Sequence, residues 1–259
     1  MEPDGGGGNA AAFFDLDKTL MAGSSGMVFA RVANRKGFVP RRQLAKWGLD
    51  HLRYRLRGSS DEQTSAVVDV AKRIFAEIPE RDVERMGPEV LAGILPRIYP
   101  QMLEEVHAHQ DEGRPAFIVS AAGNDIVAAL AGVLGMEGGI GTRYEVDGAG
   151  SFTGRLDGPF VYGPGKVEAM REFAASHEID LAESFAYSDS LSDLPMLRAV
   201  GNPVAVNPDP PLAEIARAEG WRTVRFERLG RRLAAIAITL LATAAGLGAA
   251  RHRQRDGRK

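Results

Sequence analysis

The chain has 259 residues, of which 44% are hydrophobic and 25% are charged, as is ordinary for a soluble globular protein with one large domain or two small ones. A formal net charge of −2 gives no sign of nucleic-acid binding, and the lack of cysteine excludes disulfides, cysteine–zinc sites and thiol catalysis. Residues 1–10 are rich in glycine and lack the basic and apolar regions of a signal peptide. We therefore expect a disordered leader on a cytoplasmic protein.

The first predicted strand ends in a cluster of polar side chains. Residues 11–14 are apolar, as in a buried parallel strand, and Asp15, Asp17 and Thr19 follow them. Side chains two residues apart share one face of a strand, so the two carboxylates would repel each other unless a cation lay between them. Mg²⁺ prefers such hard oxygen ligands. We therefore expect a metal site at this strand end; an Asx turn or a helix cap is the alternative.

A block without predicted strands separates this motif from the rest of the chain. Its helices are expected in four ranges: 25–36, 40–57, 60–79 and 81–110. The last range holds one or two helices, interrupted near Pro88 and Pro96. We expect residues 24–113 to form an all-helical cap, inserted into a core made of residues 11–23 and 114–228.

Strands and helices alternate after residue 113. Strands are predicted at 116–119, 184–187, 203–206 and 221–226, and helices at 123–134, 165–176, 193–199 and 210–219. Two extended runs, 142–146 and 151–155, surround a glycine-containing turn and predict a β-hairpin. The alternation is typical of a parallel sheet, so the predicted fold class is α/β: a doubly wound, Rossmann-like core with an inserted helical cap.

Two residues at predicted helix starts are candidates for binding a phosphate group. Ser120 lies between a strand and a helix, where a hydroxyl and main-chain N–H groups can surround an anion. Lys166 opens the helix predicted at 165–176, where its charge opposes the helix dipole, so we expect an anion beside it. The alternatives are a simple helix cap for Ser120 and a solvated surface lysine for Lys166.

Two further carboxylates follow the strand predicted at 184–187. Asp189 comes at the tip of this strand, where it would complete a metal site with Asp15 and Asp17. Asp193 comes one turn later and would bind a metal-bound water or hold Lys166. Helix capping is the alternative interpretation of Asp193, and it is compatible with either contact.

These motifs occur in an order that resembles the haloacid dehalogenase (HAD) superfamily of aspartyl-phosphate phosphatases. The matching motifs are Asp15-x-Asp17-x-Thr19, the strand-end Ser120, Lys166, and the Ser-Asp-Ser-Leu-Ser-Asp run at 188–193. The resemblance covers residues 13–226. The position of the helical block and the sequence at 187–197 are similar to the phosphoserine phosphatase-like members, subfamily IB.

The resemblance implies a role for each motif. Asp15 would be the nucleophile and Asp17 the general acid and base. Thr19, Ser120 and Lys166 would bind the phosphoryl oxygens. The implied cofactor is Mg²⁺, held by Asp15, Asp17 and Asp189, with Asp17 contributing its main-chain carbonyl, and with Asp193 in support. The helical cap would close over this site.

The substrate motifs of phosphoserine phosphatases are not all present. Ser24 stands where those enzymes carry a Glu for the substrate amine, and Ala121-Ala122 replace a Gly-Gly pair. The cap Arg expected shortly after Glu62-Gln63 is missing, and Lys72 and Arg73 come later. We therefore predict a Mg²⁺-dependent phosphomonoesterase acting on a small phosphorylated metabolite. Phosphoserine, a lipid-linked phosphate, and phosphotransfer to an acceptor other than water are alternatives within this chemistry. A catalytically inactive HAD-fold binding protein is the alternative from another class.

The C-terminal tail, residues 229–259, contains an uncharged apolar stretch. This stretch covers residues 233–250, with arginines on both sides, and 18 residues is about the shortest helix that spans a bilayer. Its apolar residues surround the whole helix rather than forming one stripe. We expect membrane association through this stretch; an interfacial helix and a helix packed on the core are the alternatives.

Overall fold

The computed structural model describes residues 9–42 and 79–226. The chain divides into two compact units, Met1–Thr223 and Val224–Lys259. The predictions for most of the leader, for the cap helices between residues 43 and 78 and for the tail at 229–259 lie outside the described residues. Within the described residues, no helix is long and apolar enough to cross a membrane.

The core is a six-stranded sheet accompanied by a separate hairpin. The eight strands are β1 (Ala12–Asp15), β2 (Ala116–Gly123), β3 (Gly138–Thr142), β4 (Tyr144–Val146), β5 (Phe152–Leu156), β6 (Phe185–Ser188), β7 (Asn202–Val206) and β8 (Arg222–Val224). The order in the large sheet is β3-β2-β1-β6-β7-β8. β1 pairs in parallel with β2 and β6, while β4 and β5 pair antiparallel. The predicted fold class is confirmed, and so is the hairpin.

Seven complete α-helices lie in the described residues. They are α1 (Ser25–Arg35), α2 (Glu80–Ile94), α3 (Pro100–Asp111), α4 (Asn124–Val133), α5 (Pro164–Ser176), α6 (Leu194–Leu197) and α7 (Pro210–Ala218). Local sequence sets several of their starts. The Asp209 side chain accepts the Leu212 N–H at 2.9 Å, and two prolines follow it in the first turn of α7. The 3₁₀ turn Leu95–Arg97 lies between α2 and α3, and the 3₁₀ turn Leu191–Asp193 lies between β6 and α6.

Apolar residues bury both faces of β1. Phe13 stacks on Phe117 on one face of the sheet, and Phe14 stacks on Tyr187 with ring centroids 4.3 Å apart on the other. Each fully buried aromatic side chain contributes roughly 1.5–3 kcal/mol through the removal of apolar surface from water. The strand that ends at Asp15 is therefore held on both faces, which fixes the position of that carboxylate.

A series of side-chain hydrogen bonds connects α3 to β6. Arg114 Nε donates to His109 Nδ1 at 2.9 Å, so the neutral ring carries its hydrogen on Nε2 and donates it to the Tyr187 hydroxyl, 2.7 Å away. Tyr187 donates in turn to Glu105 at 3.1 Å. Burial, followed by the nearby charge of Arg114, lowers the pKa of His109 to about 4. The histidine is therefore neutral at physiological pH.

Two details differ from the sequence-based prediction. Gly138–Thr142 forms a strand of the large sheet, although its glycines give no strand pattern. A Cβ at Gly139 would lie 2.5 Å from Val127 Cγ1, so glycine permits the close approach of α4. Pro88 lies inside the continuous helix α2, so the interruption predicted there is wrong, whereas the one near Pro96 is confirmed by the 3₁₀ turn.

Candidate active site

A tight turn after β1 places the first motif. The Leu20 N–H bonds to the carbonyls of Asp15 and Leu16, and Lys18 adopts a left-handed φ of 64°. Thr19 is fully buried within this turn. Among the described residues, its hydroxyl has no hydrogen-bond partner. A buried hydroxyl left unpaired costs about 1–3 kcal/mol, so the Thr19 hydroxyl indicates a place for a polar ligand.

Asp17 contacts the start of α1. Its Oδ1 accepts the Ser25 N–H at 2.8 Å, while the Ser24 hydroxyl accepts the Met27 N–H at 3.4 Å. A carboxylate at a helix N-terminus is favoured by the helix dipole. The Asp17 side chain therefore helps to cap α1, as the alternative interpretation of this motif predicted, and Ser24 is the N-cap residue.

Lys166 lies in the first turn of α5 and is buried between two carboxylates. Its Nζ donates to Asp15 Oδ1 at 2.5 Å and to Asp193 Oδ2 at 2.7 Å. The Ser188 hydroxyl donates to the same Asp193 oxygen at 2.7 Å. Only 3% of the lysine is exposed, so the interpretation as a solvated surface lysine is wrong. Ser188 begins the polar run at 188–193, but no role was predicted for it, because its role depends on a contact with Asp193 that no local pattern encodes.

Burial and neighbouring charges shift the pKa values of Asp15 and Lys166 in this cluster. Burial raises the pKa of Asp15 to about 7 despite the opposing charge of Lys166. Burial lowers the pKa of Lys166, but the charges of Asp15 and Asp193 outweigh it and raise the pKa above its ordinary value. A lysine that is held in its charged form thus lies against a carboxyl group at the end of β1.

Asp189 follows β6 and is buried at the same edge of the sheet. Burial raises the pKa of Asp189 to about 8, and the charge of Asp15 adds to this rise. The half-buried Lys18, whose Nζ lies 3.7 Å from Asp189 Oδ2, opposes the rise. In the part of the chain that the structure describes, no group of three or more acidic or histidine side chains is arranged to hold a metal. The carboxyl groups of Asp15 and Asp189 nevertheless offer the hard oxygens that suit Mg²⁺, and a bound cation would favour their ionised forms.

Ser120 is buried near the end of β2, just before α4. Its hydroxyl oxygen accepts the Ala122 N–H at 3.2 Å, which leaves its hydrogen able to bond to a ligand. The side chains of Asp15, Thr19, Ser120, Lys166 and Asp189 therefore come from four segments that end or begin at the carboxyl edge of the sheet. This is the edge where open α/β sheets bind their ligands.

Comparisons with known proteins agree with this architecture. Residues 12–198 match the model of the haloacid dehalogenase-like hydrolase family. A Streptomyces azureus protein named for inhibition of morphological differentiation is 36% identical over 219 residues, which is 84% of this chain and 79% of that one. A phosphoserine phosphatase of Mycobacterium tuberculosis is 35% identical over 246 residues, which is 93% of this chain and 77% of that one. A Bordetella pertussis protein of unknown function superposes with a TM-score of 0.73 at 28% identity, covering 84% of this chain and 98% of that one.

Proposed function

The chain belongs to the haloacid dehalogenase-like hydrolases and is a phosphatase, and we propose that it hydrolyses phosphomonoesters through an aspartyl-phosphate on Asp15, with Mg²⁺ as cofactor. One observation carries the proposal: a buried, charged lysine bonds to Asp15, and the turn that follows Asp15 holds the buried Thr19 hydroxyl, which has no partner among the described residues. A tetrahedral anion would fill the hydrogen-bonding capacity of Thr19 and would face the carboxylate that attacks it.

The nucleophile is fixed by its neighbours. Lys166 holds one oxygen of Asp15, and the buried strand β1 holds its backbone. In the proposed step, an Asp15 oxygen forms a bond to phosphorus as the bond from phosphorus to the leaving oxygen breaks. Reaction with water then cleaves the phosphorus–Asp15 bond and releases inorganic phosphate. Fixing the carboxylate before the substrate binds lowers the entropic part of the barrier.

We assign proton transfer to Asp17. It would protonate the leaving oxygen and would later accept a proton from the attacking water. Its hydrogen bond from the Ser25 N–H ties this carboxylate to the first turn of α1. We propose that α1 is the first helix of the cap, residues 24–113. Movement of the cap would then change the orientation of Asp17.

The phosphoryl oxygens would be bound by Thr19, Ser120 and Lys166. Two hydroxyl hydrogens and one ammonium group, all buried, would provide fixed donors for the charge that develops in phosphoryl transfer. Fixed donors of this kind stabilise the transition state without reorganisation of water. Asp193 and Ser188 support Lys166 through the bonds described above.

The donor set at the sheet edge fits Mg²⁺. We propose that the carboxylates of Asp15 and Asp189 hold it, together with the main-chain carbonyl of Asp17. When bound, Mg²⁺ supplies positive charge that screens the repulsion between the carboxylate nucleophile and the phosphate group.

The substrate is proposed to be a small phosphorylated metabolite. A related protein carries the name phosphoserine phosphatase, which makes phosphoserine a candidate. However, Ser24 occupies the position of the amine-binding Glu, and its side chain caps α1. A substrate amine would therefore need another partner.

A phosphatase screen tests this proposal. The full-length chain is assayed with p-nitrophenyl phosphate and with a panel of phosphorylated metabolites and phospholipids, with and without Mg²⁺. We expect phosphate release that requires Mg²⁺ and is lost in Asp15→Asn, because an amide cannot form the acyl-phosphate. Turnover that continues in Asp15→Asn, or that does not respond to chelation of divalent metals, would contradict the mechanism.

A further inference from the structure

The segment that carries Ser120 bulges out of the sheet. β2 and β3 pair at Val119 with Ile140 and again at Gly123 with Thr142, so four steps along β2 match only two along β3. The surplus falls on residues 120–122, whose main-chain groups are displaced from the regular ladder. A bulge re-aims a side chain, but it also leaves backbone groups that need other partners.

Thr142 supplies one of those partners. It is fully buried, and its hydroxyl donates to the Ala121 carbonyl at 3.0 Å. The same oxygen accepts the Val161 N–H at 3.2 Å. Ala121 directly follows Ser120, and Val161 lies in the loop that leads to Lys166. One hydroxyl therefore joins the two segments that are proposed to bind the phosphoryl group.

The loop that leads to Lys166 is also restricted by close packing of its own backbone. A Cβ at Gly165 would lie 2.1 Å from the Phe160 carbonyl oxygen, and Gly163 has a left-handed φ of 53°. The chain from Phe160 to α5 is thus closely folded on itself. A shift at Val161 would be passed on to the first turn of α5, where Lys166 lies.

We propose that Thr142 is a positioning residue for the phosphatase reaction. It touches none of the reacting atoms; its hydroxyl sets the distance between the Ser120 bulge and the Lys166 loop. The inference rests on the proposed function, in which Ser120 and Lys166 bind the same phosphoryl group. Without the hydroxyl, the Ala121 carbonyl and the Val161 N–H lose their shared partner, and the two segments can separate.

Three variants separate this role from a general loss of stability. Thr142→Val keeps the shape and removes the hydroxyl, whereas Thr142→Ser keeps the hydroxyl and removes the methyl group. Ser184→Ala is the matched control, because Ser184 is also buried and its hydroxyl also bridges an N–H, of Ala11 at 3.0 Å, and a carbonyl, of Asp180 at 2.6 Å. Ser184 precedes β6, at the amino end of the strands and away from the site.

The variants are compared in kcat and KM for p-nitrophenyl phosphate, in thermal unfolding, and in amide hydrogen exchange of residues 119–123 and 160–166. We expect Thr142→Val to lower kcat by about 10- to 100-fold, as small misplacements of binding groups do. Thr142→Ser and Ser184→Ala should stay within about 3-fold of the unaltered chain, although Ser184→Ala lowers the unfolding temperature about as much as Thr142→Val. Faster exchange in both segments should occur in Thr142→Val alone.

Equal loss of kcat in Thr142→Val and Ser184→Ala would overturn the proposal, and so would full activity in Thr142→Val. If the unaltered chain releases no phosphate from any substrate, the proposed function fails instead. The exchange measurement then decides the role of Thr142 by itself: faster exchange in both segments supports the coupling, and unchanged exchange overturns it.

Discussion

Replacing Lys166 with methionine should destabilise the protein strongly. Lys166 is 3% exposed and is the shared partner of two buried carboxylates, Asp15 and Asp193. Removing one partner of a buried ion pair costs about 3–5 kcal/mol, because the remaining charge stays buried without compensation. Each 1 kcal/mol lowers the unfolding temperature of a chain of this size by about 2–4 °C. The expected decrease is therefore about 6–20 °C.

The loss of stability in Lys166→Met should depend on pH and on Mg²⁺. Since Asp15 can take up a proton when the pH falls, the variant should lose less stability at about pH 6 than at about pH 9. Added Mg²⁺ should restore part of the stability, because it brings positive charge to the same carboxylates. Thermal unfolding followed by circular dichroism measures both effects.

Arg171→Met is the matched control, because Arg171 carries the same charge on an exposed position of α5. It should change the unfolding temperature by no more than about 2 °C, as is usual for surface substitutions. If Lys166→Met unfolds at the same temperature as Arg171→Met, the lysine does not compensate buried charge, and the electrostatic account of the site is refuted.

Two further predictions concern titration and metal dependence. Histidine takes up a proton near pH 6.5 in the unfolded chain, whereas His109 in the folded protein does so only near pH 4. The free energy of unfolding should therefore rise by about 1–3 kcal/mol as the pH increases from 4 to 6.5. His109→Gln should flatten this rise in urea unfolding, and His107→Gln, at an exposed position of the same helix, should leave it unchanged. Asp189→Asn should raise the Mg²⁺ concentration needed for half-maximal activity by about 10-fold or more, because a ligand charge is lost. Asp17→Asn should lower kcat with little change in that concentration, and identical Mg²⁺ titrations would contradict the assignments.

Local patterns predicted the strand ends and the residues that follow them. An apolar run that stops at Asp15, and a lysine placed against a helix dipole, are signals within a few residues of sequence. The parallel sheet then brings these residues to one edge. The contact of Asp193 with Lys166 was one of two contacts predicted for Asp193, whereas the contact of Lys166 with Asp15 was not predicted.

Contacts between distant segments could not be predicted in the same way. The Gly138–Thr142 strand lacks an apolar pattern because its glycines serve the approach of α4, and the bulge at Ser120 exists only relative to that strand. For the same reason, Thr142 carried no signal, since its two partners are 19 or more residues away in sequence. The bond from Ser25 to Asp17 is shorter in range, but it depends on how the turn after β1 closes.

Direct detection of the phosphoryl group on Asp15 is the most direct test of the proposed mechanism. Asp17→Asn should form the intermediate and hydrolyse it slowly, because the base that activates water is lost. The variant is mixed with substrate and Mg²⁺, denatured, and treated with borohydride, which reduces an acyl-phosphate to an alcohol. Mass spectrometry of the peptide that contains residue 15 should then show homoserine in place of Asp15, and only when substrate was present. An unmodified Asp15 in a sample that has released its leaving group, or reduction at a different carboxylate, would contradict the account.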